Sequence, residues 1–214
     1  MRQLKEAGTA QTRKTWAVHG IPEPMFGVLW GTLRKMAKKI KLDQGLADGL
    51  WATGVHDAKV LALLTADPEK MGLEGLDTWA RQMTNSGEAS AMVELVERSV
   101  WQQALADRWS GLPGEWIGAT GYSLVSSLAK KDPDLDNSYF KKKLQIIEET
   151  VHSRENHCRY TMNNALIAIG KRNFELWEFA RMANQRIGKI KVVMPTKDCK
   201  VPDPKVELKT KPGS

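Results

Sequence analysis

Apolar positions recur at three- and four-residue spacing along nearly the whole chain, and no stretch alternates with a period of two for long enough to read as a strand. Leu33, Met36, Ala37 and Ile40 fall at i, i+3, i+4 and i+7, which predicts an amphipathic helix over 30–40. The same reading places helices over 1–18, 43–52, 56–66, 73–83, 88–97, 100–109, 115–130, 137–152, 156–170 and 173–187. Their ends carry punctuation. His19-Gly20-Ile21-Pro22-Glu23-Pro24 closes the first. Asp43 is an N-cap, Gly54 a stop, and Asp67-Pro68 ends the helix that starts at His56. Links of mostly two to seven residues make sequential helices antiparallel neighbours.

Three of these segments share a plan. One runs from His56 to Asp67-Pro68, one from Glu115-Trp116 to Asp132-Pro133, and one from Asn156 to Arg172-Asn173. Each has a polar start, an apolar stretch rich in alanine and leucine or isoleucine, and a polar stop. Irregularly spaced copies of this kind suit HEAT-like helix pairs, in which each pair buries its apolar face against the next. The expected fold is all-α: an α-α superhelix of HEAT-like repeats, a curved solenoid over residues 1–188. From Lys189 the pattern dissolves into Lys, Pro and Asp, predicting a basic, extended, poorly ordered tail over 189–214.

Composition narrows the function. A 42% hydrophobic and 27% charged chain is ordinary for a globular protein. No apolar run reaches the roughly 18 residues of a membrane span, and residues 1–20 lack the apolar core of a signal peptide, so a cytoplasmic protein is expected; it is expected to be a monomer. The formal charge of +7 invites a polyanionic partner. That charge sits at the ends: residues 1–20 hold four basic side chains against one acid, and residues 189–214 hold seven lysines against three acids. Residues 21–188 are therefore neutral overall, and any DNA contact in the body must rest on local clusters. Cys158 and Cys199 form no CxxC pair, no His or Cys cluster has metal-ligand spacing, and both cysteines read as reduced. No phosphate-binding GxxxxGK[ST], GxSxG or HExxH motif occurs, so no metal or cofactor is expected.

Four groups of residues remain as candidates for chemistry. Lys35, Lys38 and Lys39 share one helix face, either to meet phosphates or simply to be solvated. Trp101, Trp109 and Trp116 lie close in sequence, and the first two fall about two turns apart on one predicted helix. A tryptophan face either packs in the core or holds a cationic alkylated purine or a base. Asp107 is the nearest carboxylate that would stabilise an electron-poor sugar if a base were removed, or else it is half of a surface pair with Arg108. In the polar run from His152 to Asn164, Arg159 and Asn163 share a face that would donate to phosphate oxygens or satisfy polar groups between helices. Lys171 and Arg172, just past the end of the helix over 156–170, are further candidates for DNA contact.

The chain resembles the DNA alkylation repair family, the AlkD-like proteins of HEAT-like repeats. The resemblance lies in Glu23-Pro24-Met25-Phe26-Gly27-Val28, Leu50-Trp51-Ala52-Thr53-Gly54-Val55-His56-Asp57-Ala58, Glu115-Trp116-Ile117-Gly118, Arg159 through Gly170, and Cys199-Lys200-Val201-Pro202-Asp203. It implies a basic concave face that holds double-stranded DNA, alkylated or not. In the glycosylase branch it implies a Trp-Trp-Asp-x-x-Asp helix followed by an arginine on the next pair, excising alkylated purines without a metal. Here Trp101 matches the second tryptophan, Gln102 and Leu105 stand at the two carboxylate positions, and Ala119 stands at the arginine. Two expectations stay open: a DNA-alkylbase glycosylase with Asp107 as its carboxylate, or a non-enzymatic helical scaffold that binds DNA or protein.

Overall fold

The computed structural model describes residues 1–212, and among them it shows helices, turns and extended connections but no strand. The chain divides into two compact units, Met1–Gln102 and Gln103–Ser214.

The first unit is built around a helix that is buried on all sides. The helices here are α1 (Arg2–Ala7), α2 (Ala10–Val18), α3 (Trp30–Ile40), α4 (Gln44–Trp51), α5 (His56–Thr65), α6 (Pro68–Arg81) and α7 (Ser86–Val96). Nine of the ten residues of α5 are buried, and α3, α4 and α7 pack against it. A helix of this kind cannot leave its charged side chains to water, and Asp57 and Lys59 find their partners inside. The Asp57 carboxylate, fully buried, accepts the backbone N–H groups of Phe26 (2.6 Å), Gly27 (3.3 Å) and Val28 (2.6 Å) and so fixes the loop that leads into α3. Lys59 donates to Glu88 Oε2 at 2.6 Å and to the Gln82 carbonyl at 3.1 Å, and its ammonium lies 4.4 Å over the Trp51 ring. Trp51 in turn stacks on Trp79, with centroids 4.4 Å apart and planes within 2°.

The second unit holds α8 (Gln102–Ser110), α9 (Glu115–Lys131), α10 (Asn137–Thr150), α11 (Asn156–Gly170), α12 (Phe174–Ile187) and α13 (Pro204–Glu207). Its centre is the α9–α11 pair, with α10 and α12 packed outside. A glycine also lets α8 come close to α9. A Cβ on Gly121 would lie 2.2 Å from the Ser110 backbone nitrogen, so only glycine fits there. Arg154 straps the turn after α8, donating to the carbonyls of Ser110 (3.1 Å) and Leu112 (2.7 Å).

Most predicted helices lie where the periodicity puts them, and the differences have local causes. The helix expected over 1–18 is broken in two at Gly8-Thr9, where the Thr9 side chain accepts from Thr12 N and caps α2. Asp67-Pro68 opens α6 rather than merely ending α5: Asp67 caps it and Pro68 fills its first turn, where no amide donor is needed. A left-handed kink at Gly72 (φ 62°) then divides α6. The tail from Lys189 runs without regular structure to α13 and is anchored. Asn156 exchanges two hydrogen bonds with Val193, Asn163 Nδ2 donates to the Pro202 carbonyl, and Trp177 Nε1 donates to the Leu208 carbonyl. Leu208 is 2% exposed, and its side chain lies against Gly170. This anchoring corrects the expectation of a poorly ordered segment. Residues 213 and 214 of that segment lie outside the described residues.

Candidate nucleic-acid interface

The first unit carries the simplest cationic surface. Leu33 turns the inner face of α3 into the core, and Lys35, Lys38 and Lys39 are exposed, with no ion pair among the described residues. Arg34, by contrast, pairs with Glu94 at 2.5 Å and leans over the Trp30 ring. The lysines belong to the second half of a helix whose last turn holds Lys38 and Lys39, where the helix dipole favours positive charge.

The tryptophans do not form one surface. Trp101 is half-buried in the turn before α8, its backbone N–H donating to Ser99 Oγ at 3.2 Å, and it falls in the first unit. Trp109 is fully buried in the second unit, so the expectation that it touches DNA is corrected: it fills the core beneath α8. Trp116 is half-buried against His157, with ring centroids 5.2 Å apart. Burial pushes the His157 imidazole below its ordinary pKa, although the nearby Glu115 opposes this.

Asp107 is held by an ion pair. Its carboxylate meets the buried Lys143 ammonium at 2.7 Å, and that ammonium also donates to Ser110 Oγ at 3.1 Å. Burial, reinforced by the Asp107 charge, drives the Tyr139 phenol well above its usual range. The pair ties α10 to α8. Of the positions that the resemblance assigns to the two carboxylates and the arginine, Gln102 is half-buried, Leu105 is fully buried and Ala119 is 1% exposed.

The remaining candidates divide in the same way. Asn163 is 1% exposed and spends its amide on the tail, so it is not a DNA contact. Arg172 donates to the carbonyls of Ala129 (3.2 Å) and Leu135 (2.9 Å) and lies over the Phe140 ring, which makes it a strap between helix ends. Lys171 is exposed and pairs with Glu207. Arg159 is half-buried, and its Nε meets no partner among the described residues. Beside Lys171 an open groove of about 640 Å³ runs past Lys130, Lys131 and Pro133. Sequence reasoning missed Lys143 and Arg154. Lys143 is hidden in the Lys141-Lys142-Lys143 run, which reads as a solvated face, and Arg154 in a polar run with no periodic signal.

Known proteins place this geometry. Two uncharacterized proteins, Lin0241 of Listeria innocua and Lmo0209 of Listeria monocytogenes, are each 27% identical over 207 residues, covering 94% of this chain and 90% of theirs. A solved structure, described as belonging to a new family of proteins related to the HEAT-like repeat DNA glycosylases with affinity for branched DNA structures, superposes with a TM-score of 0.87 at 28% identity. It covers 98% of this chain and 90% of that one. The all-α architecture is thus that of HEAT-like repeats. With residues 1–186 matching the model of the DNA alkylation repair enzymes, the chain belongs to that family.

Proposed function

We propose that this protein binds duplex and branched DNA through its phosphates and does not excise bases. The observation that carries the reading is the outer face of α3, where Lys35, Lys38 and Lys39 are exposed without carboxylate partners. Unpaired ammonium groups release counterions from DNA at no cost in broken ion pairs. The affinity for branched DNA ascribed to the solved relative supports the same partner class. Against excision stand the buried Leu105 and Ala119 and the pairing of Asp107 with Lys143.

Fluorescence anisotropy with labelled duplex and four-way junction DNA over a salt series tests this. Replacing Lys35, Lys38 and Lys39 by Ala should weaken binding at low ionic strength and flatten the log–log salt slope by up to about 3. Methylated duplex incubated with the wild type should release no free purine, and Asp107→Asn should bind as the wild type does. Unchanged binding by the triple variant, or release of methylpurine, overturns the proposal.

A further inference from the structure

The cleft between α12 and the anchored tail has features that duplex binding does not use. Two adjoining cavities, of about 660 and 390 Å³, share Asn184, Gly188, Pro204 and Lys205 in their walls. Together they match the size of small-molecule sites. Trp177, Arg181 and Asn184 follow one another at i, i+4 and i+7 and so line one face of α12. Arg181 Cζ lies 4.5 Å over the Trp177 ring, and the arginine is exposed without an ion pair among the described residues. Asn184 is 7% exposed and lines both cavities, yet its side-chain amide makes no hydrogen bond among the described residues. Its amide therefore opens into the cleft, where a ligand can supply its hydrogen-bond partners.

The cations and acids around the cleft are distinct in role. Lys205 and Lys189 are exposed and unpaired among the described residues. Glu178 stands at the rim, and Asp203 is occupied as the cap of α13, accepting from Lys205 N at 2.9 Å. A ligand that satisfies all of this is flat, has a donor and an acceptor on one edge, and carries an anion. We propose that the cleft holds one unpaired nucleotide of a DNA strand. The base would lie on the Arg181 guanidinium that Trp177 backs, its edge would meet Asn184, and its phosphate would meet Lys205 and Lys189. Arginine planes stack bases, and an asparagine amide pairs with the two polar atoms of an adenine edge. The far wall comes from residues 201–208, beyond the 1–186 that the family model matches. The proposal rests on the DNA-binding reading above but uses none of the α3 lysines.

Anisotropy with a labelled oligodeoxyadenylate, a flap-bearing duplex and a blunt duplex tests it, with dAMP as competitor. Arg181→Ala/Lys205→Ala changes only exposed side chains and should fold as the wild type does, while Asn184→Leu removes the amide at similar volume. Both variants should bind the single strand and the flap roughly tenfold more weakly and leave blunt-duplex affinity unchanged. Displacement by dAMP would place recognition in the nucleotide itself, and its absence would place it in the strand; either outcome supports the site. Undiminished single-strand binding in both variants, or wild type that ignores single strands while binding duplex, overturns it. Wild type that binds single strands but no duplex would leave this site standing and remove the α3 reading instead.

Discussion

Lys59 and Glu88 are 7% and 1% exposed, which makes each dependent on the other. Burial opposes ionisation of Glu88, but His56, the Lys59 hydrogen bond and charge, and the Thr84 N–H together hold its carboxyl below the usual 4.5. Folding therefore favours the carboxylate. The stabilisation is complete above 4.5 and is lost as the pH falls through the lower folded-state value. Urea melts of the wild type should lose stability on acidification through this window, and Glu88→Gln should flatten the dependence there. Lys59→Met should cost about 3–5 kcal/mol at neutral pH, because it strands a buried carboxylate. The double variant Lys59→Met/Glu88→Gln should recover part of that loss. A cost in the double variant equal to the sum of the two single costs would mean that the pair is not coupled.

At the scale of elements, the glycines of α4 and α9 make opposite predictions from the same chemistry. Gly49 lies in α4 with nothing within 4 Å of a Cβ, so Gly49→Ala should stabilise by about 0.5–1 kcal/mol through helix propensity alone. Gly121 has the same helical preference for alanine, but its Cβ would collide with the Ser110 backbone, and Gly121→Ala should cost about 1–3 kcal/mol. Thermal melts of the two variants, shifted in opposite directions, would confirm that α8 and α9 meet backbone to backbone at Gly121. The helices themselves were legible because their ends are written in short-range chemistry: Asp43, Asn85 and Asn173 each cap with a side-chain oxygen. The fate of polar side chains was less legible, because it depends on which helix lies opposite. Arg172 and Lys171 are adjacent in the chain, yet one straps carbonyls of the α9 end and the other faces solvent. Trp101 and Trp109 read alike by spacing, but one lies in a turn and the other in a core. Only the α3 lysines, on a helix with one strongly apolar face, could be placed outward from periodicity alone.

For the whole molecule, net charge and core meet in the last two dozen described residues. The tail supplies much of the +7 and on composition should drift free, since Lys, Pro and Asp bury little surface. One apolar residue changes that outcome. Leu208 sits against Gly170, where the missing side chain leaves room for it, and its carbonyl takes the Trp177 indole N–H at 3.0 Å. Full burial of a leucine contributes about 1.5–3 kcal/mol, enough to hold a short segment that also has α13 and the Asn156–Val193 exchange to support it. Leu208→Ala should then destabilise the protein by about 2–5 kcal/mol and expose Trp177. The thermal midpoint should fall, and the emission of Trp177, isolated in a variant with the other seven tryptophans replaced by phenylalanine, should shift to the red. Val206→Ala, at an exposed position on α13 just before Leu208, is the control and should change neither. If Leu208→Ala matches it in both measurements, the tail contributes charge but no structure, and the wall it gives the nucleotide cleft goes with it.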